Sequence, residues 1–334
     1  MPTTSAPKLS VVAPCFNEQE CLAELYHRLS VVCKTEVADD YEIVLVDDGS
    51  SDSTRSVIRK LCESDSHIVG VFLSRNHGHQ LALCAGLHIC RGERILIIDA
   101  DLQDPPEILG DMMKLMDNER ADVVYGQRRT RRGEPRFKKL SALLFYWLLN
   151  RVADVEIPVD AGDFRLMSRR TLDELNRMPE RHRFIRGMVT WIGFRQVPMK
   201  YERHERFGGE TKYPFKKMLR FAIDAISGFS IVPLRFATYL GLTCSVFGMV
   251  LFGYTVYSYL TGIAIQGWTT LMTVVLVLGS GQLLVLGVIG EYLGRLYIQS
   301  KNRPLFIIDE VVRAGHRDTE HQQSRVAVMG MGGR

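Results

Sequence analysis

From Phe236 to Gly290 the chain carries no Asp, Glu, Lys or Arg. The gap in charge holds two apolar blocks, 236–267 and 268–290, each containing a run of the roughly 20 residues that a membrane-crossing helix needs. The pattern predicts two transmembrane helices at 234–260 and 268–290. A buried core hairpin is the alternative, but uncharged runs of this length are rare in soluble cores. The connection TGIAIQG is uncharged, whereas Lys212, Lys216, Lys217, Arg220 and Arg235 precede the pair and Arg295, Lys301 and Arg303 follow it. Positive flanks stay in the cytoplasm, so both ends of the pair are expected there. Just upstream, PFKKMLRFAIDAISGF reads as an amphipathic helix lying at the interface, basic on one side and apolar on the other.

The residues before this region follow a different rhythm. Short β-branched runs, LSVVAP, EIVLVDD, HIVGVFLS, RILIIDA and DVVYGQR, alternate with segments of helical spacing. This is the signature of an α/β fold with a mostly parallel sheet and crossover helices, in which ligands bind at the carboxyl ends of the strands. The turn after the first strand, PCFNEQE, has no glycine, so the tight approach to a dinucleotide pyrophosphate is missing, which argues against a nicotinamide dehydrogenase. Asp47, Asp48, Gly49 and Ser50 end the second strand, and Ser74, Arg75 and Asn76 the third, on one rim. Seven scattered cysteines without a CxxC pair suggest neither a disulfide framework nor a zinc site. The beginning, MPTTSAPKLS, has no charged and apolar succession typical of a cleaved signal. A net charge of +4 is too mild to argue for nucleic acid. The positive charge concentrates instead at 128–139 and around 200–220.

On the same rim, RILIIDADLQDPPE delivers Asp99 and Asp101 to the end of a buried strand. Two carboxylates two residues apart on a strand share a side, and hard oxygen ligands suit a Mg²⁺ or Mn²⁺ that also holds phosphates. Aspartates also end strands and cap helices, and a three-residue DxD pattern is weak by itself. Asp104, Pro105 and Glu107 fit N-cap, N1 and N3 of a capping box. His77 and His79 lie near a helix start without an acidic or cysteine partner at ligand spacing, and are read as structural or rim residues.

Taken in order, VVAPCFNEQE, VDDGSSDST, SRNHGHQLALCAGL, IDADLQDPPE, VDAGDFRLMSRR, RFGGETKYP and GEYLGRLY resemble the family 2 glycosyltransferases of GT-A fold. Within that family they are most similar to the membrane-bound polyprenyl-phosphate branch, which includes bactoprenol glucosyl transferases and dolichyl-phosphate mannose synthase. The resemblance covers nearly the whole chain to about residue 310. It implies that Pro14, Asn17 and Glu18 border the nucleotide, that Asp48, with Asp47, contacts the base, and that Lys212 serves the nucleotide sugar; Arg75 either meets the diphosphate of the nucleotide sugar or packs locally. It also implies that Asp99 and Asp101 bind the metal, Mg²⁺ or Mn²⁺, with Gln103 as accessory ligand. Arg128 and Arg136 are expected on the acceptor phosphate, and Arg206 where donor and acceptor phosphates meet. The wider basic run, Arg129, Arg131, Arg132, Lys138 and Lys139, is otherwise a solvated face. Asp163 is expected to orient sugar or acceptor rather than act as a base, because a phosphate monoester is already ionised at neutral pH; Asp160 supports the turn.

The sequence departs from processive synthases of the same fold, which carry QxxRW where this chain reads RGMVTW, and two spans are too few for a polymer channel. A single sugar transfer is implied. The resulting expectation is a GT-A domain over 1–213, an interfacial helix over 214–232, a transmembrane hairpin over 233–291, and a cytoplasmic C-terminal segment with a mobile tail over 292–334. The expected function is inverting, metal-dependent transfer of glucose from UDP-glucose to undecaprenyl phosphate by an integral protein of the inner membrane, its catalytic domain and both termini cytoplasmic. A homotetramer is implied by the resemblance, with the GxxxG spacing of Gly290 and Gly294 permitting close helix approach. GDP-mannose or a UDP-aminoarabinose derivative as donor, or dolichyl phosphate as acceptor, is the neighbouring alternative. A catalytically silent membrane scaffold is the alternative of another class, and retention of both Asp99 and Asp101 argues against it. An ion-conducting hairpin is disfavoured by spans without ionisable groups.

Overall fold

A computed structural model describes residues 6–128, 161–181, 183–202, 232–261, 267–313 and 316–318. The chain divides into two compact units, one built on a sheet and the other on two long helices.

All five strands expected from the sequence are present: β1 (Leu9–Cys15), β2 (Tyr41–Asp47), β3 (Ile68–Leu73), β4 (Arg94–Ile97) and β5 (Val123–Arg128). Their Val, Ile and Leu runs suit strands covered on both faces, and every residue of β1, β2 and β3 is buried. Each such side chain taken from water contributes about 1.5–3 kcal/mol. Four more strands complete a nine-stranded sheet: β6 (Ala161–Ser168), β7 (Gln196–Tyr201), β8 (Ile308–Arg313) and β9 (His316–Asp318), in the order β7-β5-β6-β4-β1-β2-β3-β8-β9. Only β6 and β8 among them run against the common direction.

Helices α1 (Leu22–Val37), α2 (Thr54–Ser64), α3 (His79–Ile89) and α4 (Leu109–Asn118) are the crossovers, and α5 (Arg169–Arg177) and α6 (Ile185–Ile192) lie between β6 and β7. In α1 the buried residues are Leu22, Leu25, Leu29 and Cys33, a stripe at helical spacing that faces the sheet. Helix α3 approaches the sheet so closely that a Cβ at Gly86 would stand 2.4 Å from Val12 Cγ1. Only glycine fits there.

Three local expectations are corrected. Strand β4 stops at Ile97, so Asp99 and Asp101 sit in a turn, where Leu102 takes a φ of 59°; strand alternation is therefore not what sets their spacing. The capping box does not form. The short 3₁₀ turn Pro106–Ile108 has no side-chain cap, Asp104 instead accepts from the Tyr201 hydroxyl, and Glu107 pairs with Arg28. These tertiary partners offer stronger bonds than a local backbone amide.

The C-terminal segment is the third correction. Helix α7 (Val232–Leu260) and helix α8 (Trp268–Ser300) form the second unit, and α8 continues ten residues past the expected end at Gly290, its Glu291 and Arg295 pairing one turn apart. Stretch Val277–Ser300 is long and apolar enough to cross a membrane, while the apolar part of α7 is Leu234–Val250. Large side chains on both helices, among them Tyr239, Met249, Leu260, Leu283 and Leu296, are exposed. The chain then returns to the first unit, where β8 covers the edge of β3. Arg55 and Arg59 of α2 pair with Asp309 and Glu310 of β8 while their guanidinium groups lie 5.0 Å from the ring centre of buried Phe72. What reads in sequence as the approach to a tail is part of the sheet. The interfacial helix expected at 214–232 lies outside the described residues, apart from Val232, which opens α7.

Candidate active site

Parallel register brings the carboxyl ends of β1 and β2 level, Cys15 beside Asp47, with Asp47 beside Phe72 of β3 and Val12 beside Ile97 of β4. Because β6 is antiparallel to β4 and pairs Arg165 with Ile97, its earlier residue Asp163 reaches the same rim as Asp99. Backbone direction carries the end of β5 there too, so Arg128 closes a strand on this rim. The side chain of Arg128 is outside the described residues, as are Arg136, Asp160, Arg206 and Lys212.

Two interlocked loops form the β1 and β2 end. Asn17, at a φ of 57°, donates its amide to Ser50 Oγ (3.0 Å) and accepts from the Ser51 amide (2.9 Å). The Glu18 amide donates to Thr54 Oγ1 (2.9 Å), and Asp52 accepts from the Thr54 amide (2.9 Å) at the start of α2. Pro14 is buried within β1. Asp47 is fully buried; one oxygen accepts from the Ser50 amide and the other has no hydrogen-bond partner among the described residues. The two oxygens of Asp48 accept from the amides of His77 (2.7 Å) and Gly78 (2.9 Å). Arg75 is exposed and donates locally to the Asn76 carbonyl at 3.4 Å.

The β4 and β6 end is a knot of charge. Asp163 is 4 % exposed and receives Arg186 Nε on Oδ1 (2.8 Å) and Gln80 Nε2 on Oδ2 (2.9 Å). His79 Nε2 stands 3.3 Å from Asp163 Oδ2 and 3.5 Å from Asp99 Oδ1, bridging the two carboxylates. Burial alone would raise the Asp163 carboxyl, but Arg186, the His79 hydrogen bond and Arg165 together hold it well below the usual carboxylate range. Desolvation instead pushes Asp99 up to about 6, with Asp163, Asp104 and Asp101 adding to the rise and His79 opposing it. His79 is itself raised, because its bond to Asp163 and the nearby carboxylate charges outweigh the effect of burial. Buried Arg165 donates to the carbonyls of Asp163 and Gly162. Asp101 closes the turn by accepting from the Gln103 amide at 3.1 Å.

These residues fit a divalent cation that the substrate helps to hold. Asp99 Oδ1 is buried without a hydrogen-bond partner among the described residues, and burial, its largest cause, raises the carboxyl pKa. No group of three or more His, Cys, Asp or Glu at ligating distance occurs among the described residues. Two carboxylates with the side-chain carbonyl oxygen of Gln103 would leave positions for water and phosphate oxygens, as Mg²⁺ and Mn²⁺ sites do.

Gln80, Arg186 and the bridging place of His79 are not visible in the sequence pattern. His79 stands in a segment, SRNHGHQLALCAGL, already singled out, and its position at the start of a helix on the rim is the one signal available. Nothing local marks Gln80 or Arg186.

Comparison with known proteins places the chain in a family. Residues 10–175 match the model for glycosyl transferase family 2, and residues 232–296 match that for the GtrB C-terminal hairpin. The uncharacterized glycosyltransferase YkcC of Bacillus subtilis is 43% identical over 302 residues, 90% of this chain and 93% of that one. A prophage bactoprenol glucosyl transferase homolog of Escherichia coli is 38% identical over 91% of this chain and 99% of its own length. The bactoprenol glucosyl transferase of Shigella phage SfV is 36% identical over 90% and 98%. With its mostly parallel, GT-A-like sheet and such identity from the first strand through the hairpin, the chain belongs to the family 2 glycosyl transferases.

Proposed function

We propose that this transferase moves glucose from UDP-glucose to undecaprenyl phosphate at the cytoplasmic face of the membrane, with inversion, giving a β-linked polyprenyl-phosphate glucose. The observation that carries the reading is the convergence of Asp99, Asp101 and Asp163 on one strand-end rim, in a chain similar along its length to bactoprenol glucosyl transferases. In this reading the nucleotide lies over the ends of β1, β2 and β3, framed by the loops that carry Pro14, Asn17, Glu18, Asp47, Asp48 and Arg75, with Lys212 beside it. Asp99 and Asp101, with Gln103, hold Mg²⁺ or Mn²⁺, which when bound neutralises charge on the departing diphosphate. Arg128, Arg136 and Arg206 receive the acceptor phosphate. An oxygen of that phosphate forms a bond to C1 of glucose as the bond from C1 to the diphosphate breaks, and UDP leaves.

No proton has to be removed from an acceptor that is already ionised, and the depressed Asp163 is a poor base. Its role is orientation, and catalysis rests on positioning and charge neutralisation. The test is incubation of purified full-length protein with UDP-glucose, GDP-mannose and a UDP-aminoarabinose derivative, each with undecaprenyl or dolichyl phosphate, with and without Mn²⁺. Glucosylated undecaprenyl phosphate and UDP are the expected products. Transfer only from another donor would reassign the sugar, and no transfer from any donor would end the proposal.

The hairpin α7–α8 enters the bilayer in this reading. The return of the chain from α8 to pair β8 with β3 supports two crossings with both ends of the hairpin in the compartment of the sheet. A reporter at Ile265 should therefore lie outside the cytoplasm, and reporters on the sheet domain or after Arg303 inside. A cytoplasmic signal at Ile265 would convert the hairpin into a peripheral or re-entrant one. The proposed homotetramer draws on the same helices: a Cβ at Gly279, Gly287, Gly290 or Gly294 would meet nothing within 4 Å among the described residues, whereas one at Gly281 would stand 3.2 Å from Cys244 Sγ. The first four are thus open to another chain, and Gly290→Leu should lower the mass measured in nanodiscs. A tetramer unaffected by that change would place the contact elsewhere.

A further inference from the structure

We propose that Gln80 is a positioning residue for sugar transfer: its side-chain amide joins Asp163 of β6 to the start of α6, so that the carboxylate and the arginine gripping it are set as one piece. The inference rests on the proposed transferase reading and deepens it. Both ends of the amide are used. Its nitrogen donates to Asp163 Oδ2 at 2.9 Å, and its oxygen accepts from the Ile185 amide at 3.2 Å.

The second bond supplies what α6 lacks. Its N-cap is Phe184, whose side chain makes no capping bond, and a helix start leaves amides in need of acceptors. Gln80 brings the acceptor from another helix, 105 residues away in the chain. The residue after Ile185 is Arg186, which donates through Nε to Asp163 Oδ1 at 2.8 Å. A closed ring results, from Gln80 to Asp163, to Arg186, along one peptide step to Ile185 and back to Gln80. Arg183 braces the same segment from α5, donating to the carbonyls of Leu175 and Met178.

The ring matters because an aspartate carboxylate turns easily about its last bond, a torsion with broad minima. One donor would leave that rotation open, whereas donors on both oxygens from two different helices close it. Helix α3 is a firm base for this, since Gly86 lets it lie directly on Val12 of β1 and Val46 of β2. His79 Nε2 stands farther from the same Oδ2, at 3.3 Å, and is shared with Asp99. A neutral donor suits the place: Arg165, Arg186 and His79 already bring positive charge to Asp163, and glutamine completes its bonds without adding more.

The experiment compares Gln80→Glu and Gln80→Met with the wild type as full-length protein in nanodiscs. It measures UDP affinity by calorimetry, and kcat and KM for transfer of glucose to undecaprenyl phosphate. Gln80→Glu is nearly isosteric: it keeps an oxygen for the Ile185 amide and turns an acceptor towards Asp163, where a donor stood. Gln80→Met removes both bonds at similar volume. Positioning predicts a kcat lowered by about 10²-fold in both, the cost of a small misplacement, with UDP affinity unchanged because UDP carries no sugar to be oriented. A residue that only capped α6 would leave kcat at the wild-type level in Gln80→Glu, and that result overturns the proposal, as does a loss of activity matched by a loss of UDP affinity. Should Gln80→Glu not fold, Gln80→Met decides by the same split. If the wild type transfers no sugar at all, the transferase reading has failed, and hydrogen exchange decides the positioning claim by itself: Gln80→Met must speed exchange at the amides of residues 185–189, and unchanged exchange refutes it.

Discussion

Asp101→Asn is expected to lower kcat/KM for sugar transfer by about 10³-fold while leaving the thermal midpoint near that of the wild type, and Asp99→Asn to do the same. Each exchange is nearly isosteric and removes one of the two charges that would hold the cation under the diphosphate. Asp99 lies where burial and three neighbouring carboxylates already oppose its ionised form, so neutralising it relieves repulsion in the free protein. Stability should hold, or rise slightly, as activity disappears. Mn²⁺ binding followed by electron paramagnetic resonance gives a readout separate from turnover, and both variants should weaken it. Near-normal transfer by either variant at saturating metal would remove the carboxylate pair from the mechanism.

Asp163→Ala is expected to destabilise the fold by about 3 kcal/mol, measured by denaturant unfolding, and to abolish transfer with it. Removing this carboxylate leaves Arg165, 3 % exposed, and Arg186 facing each other without the charge between them. Losing one partner of a buried pair costs far more than never having formed it. The pH dependence has a definite sign. The folded-state pKa of Asp163 is depressed below its unfolded value, so its contribution to stability is complete above the ordinary carboxylate pKa of about 3.9 and is lost as pH falls towards the lower, folded-state value. Wild type should lose stability steeply on acidification below about pH 4, whereas Asp163→Asn, already missing that contribution, should show a shallower slope. Equal slopes would mean that Asp163 is not the ionised hub that its contacts describe.

Much of this was legible in the sequence because it is written in local pattern. Runs such as SVVAP and IVLVD announce buried strands by composition alone, and all five runs hold a strand, four within a residue or two of the run and β4 three residues shorter. Charge-free stretches announced two long helices. Asp99 and Asp101 stand next to a strand end, so hydropathy placed them on a rim without any knowledge of the turn that finally orients them. Other features depend on which strand lies beside which, and no local pattern carries that. Gln80 meets Asp163 across 83 residues and Arg186 meets it across 23, because β6 runs antiparallel beside β4 and lays its first residues over the rim. The oxygens of Asp48 meet the amides of a loop 29 and 30 residues away, a pairing no local pattern announces. The return of β8 to the edge of β3 is likewise decided by tertiary pairing: IDEVVR is short and half charged, and its strand forms because β3 offers an open edge and Arg55 and Arg59 stand over Phe72 to receive its acids.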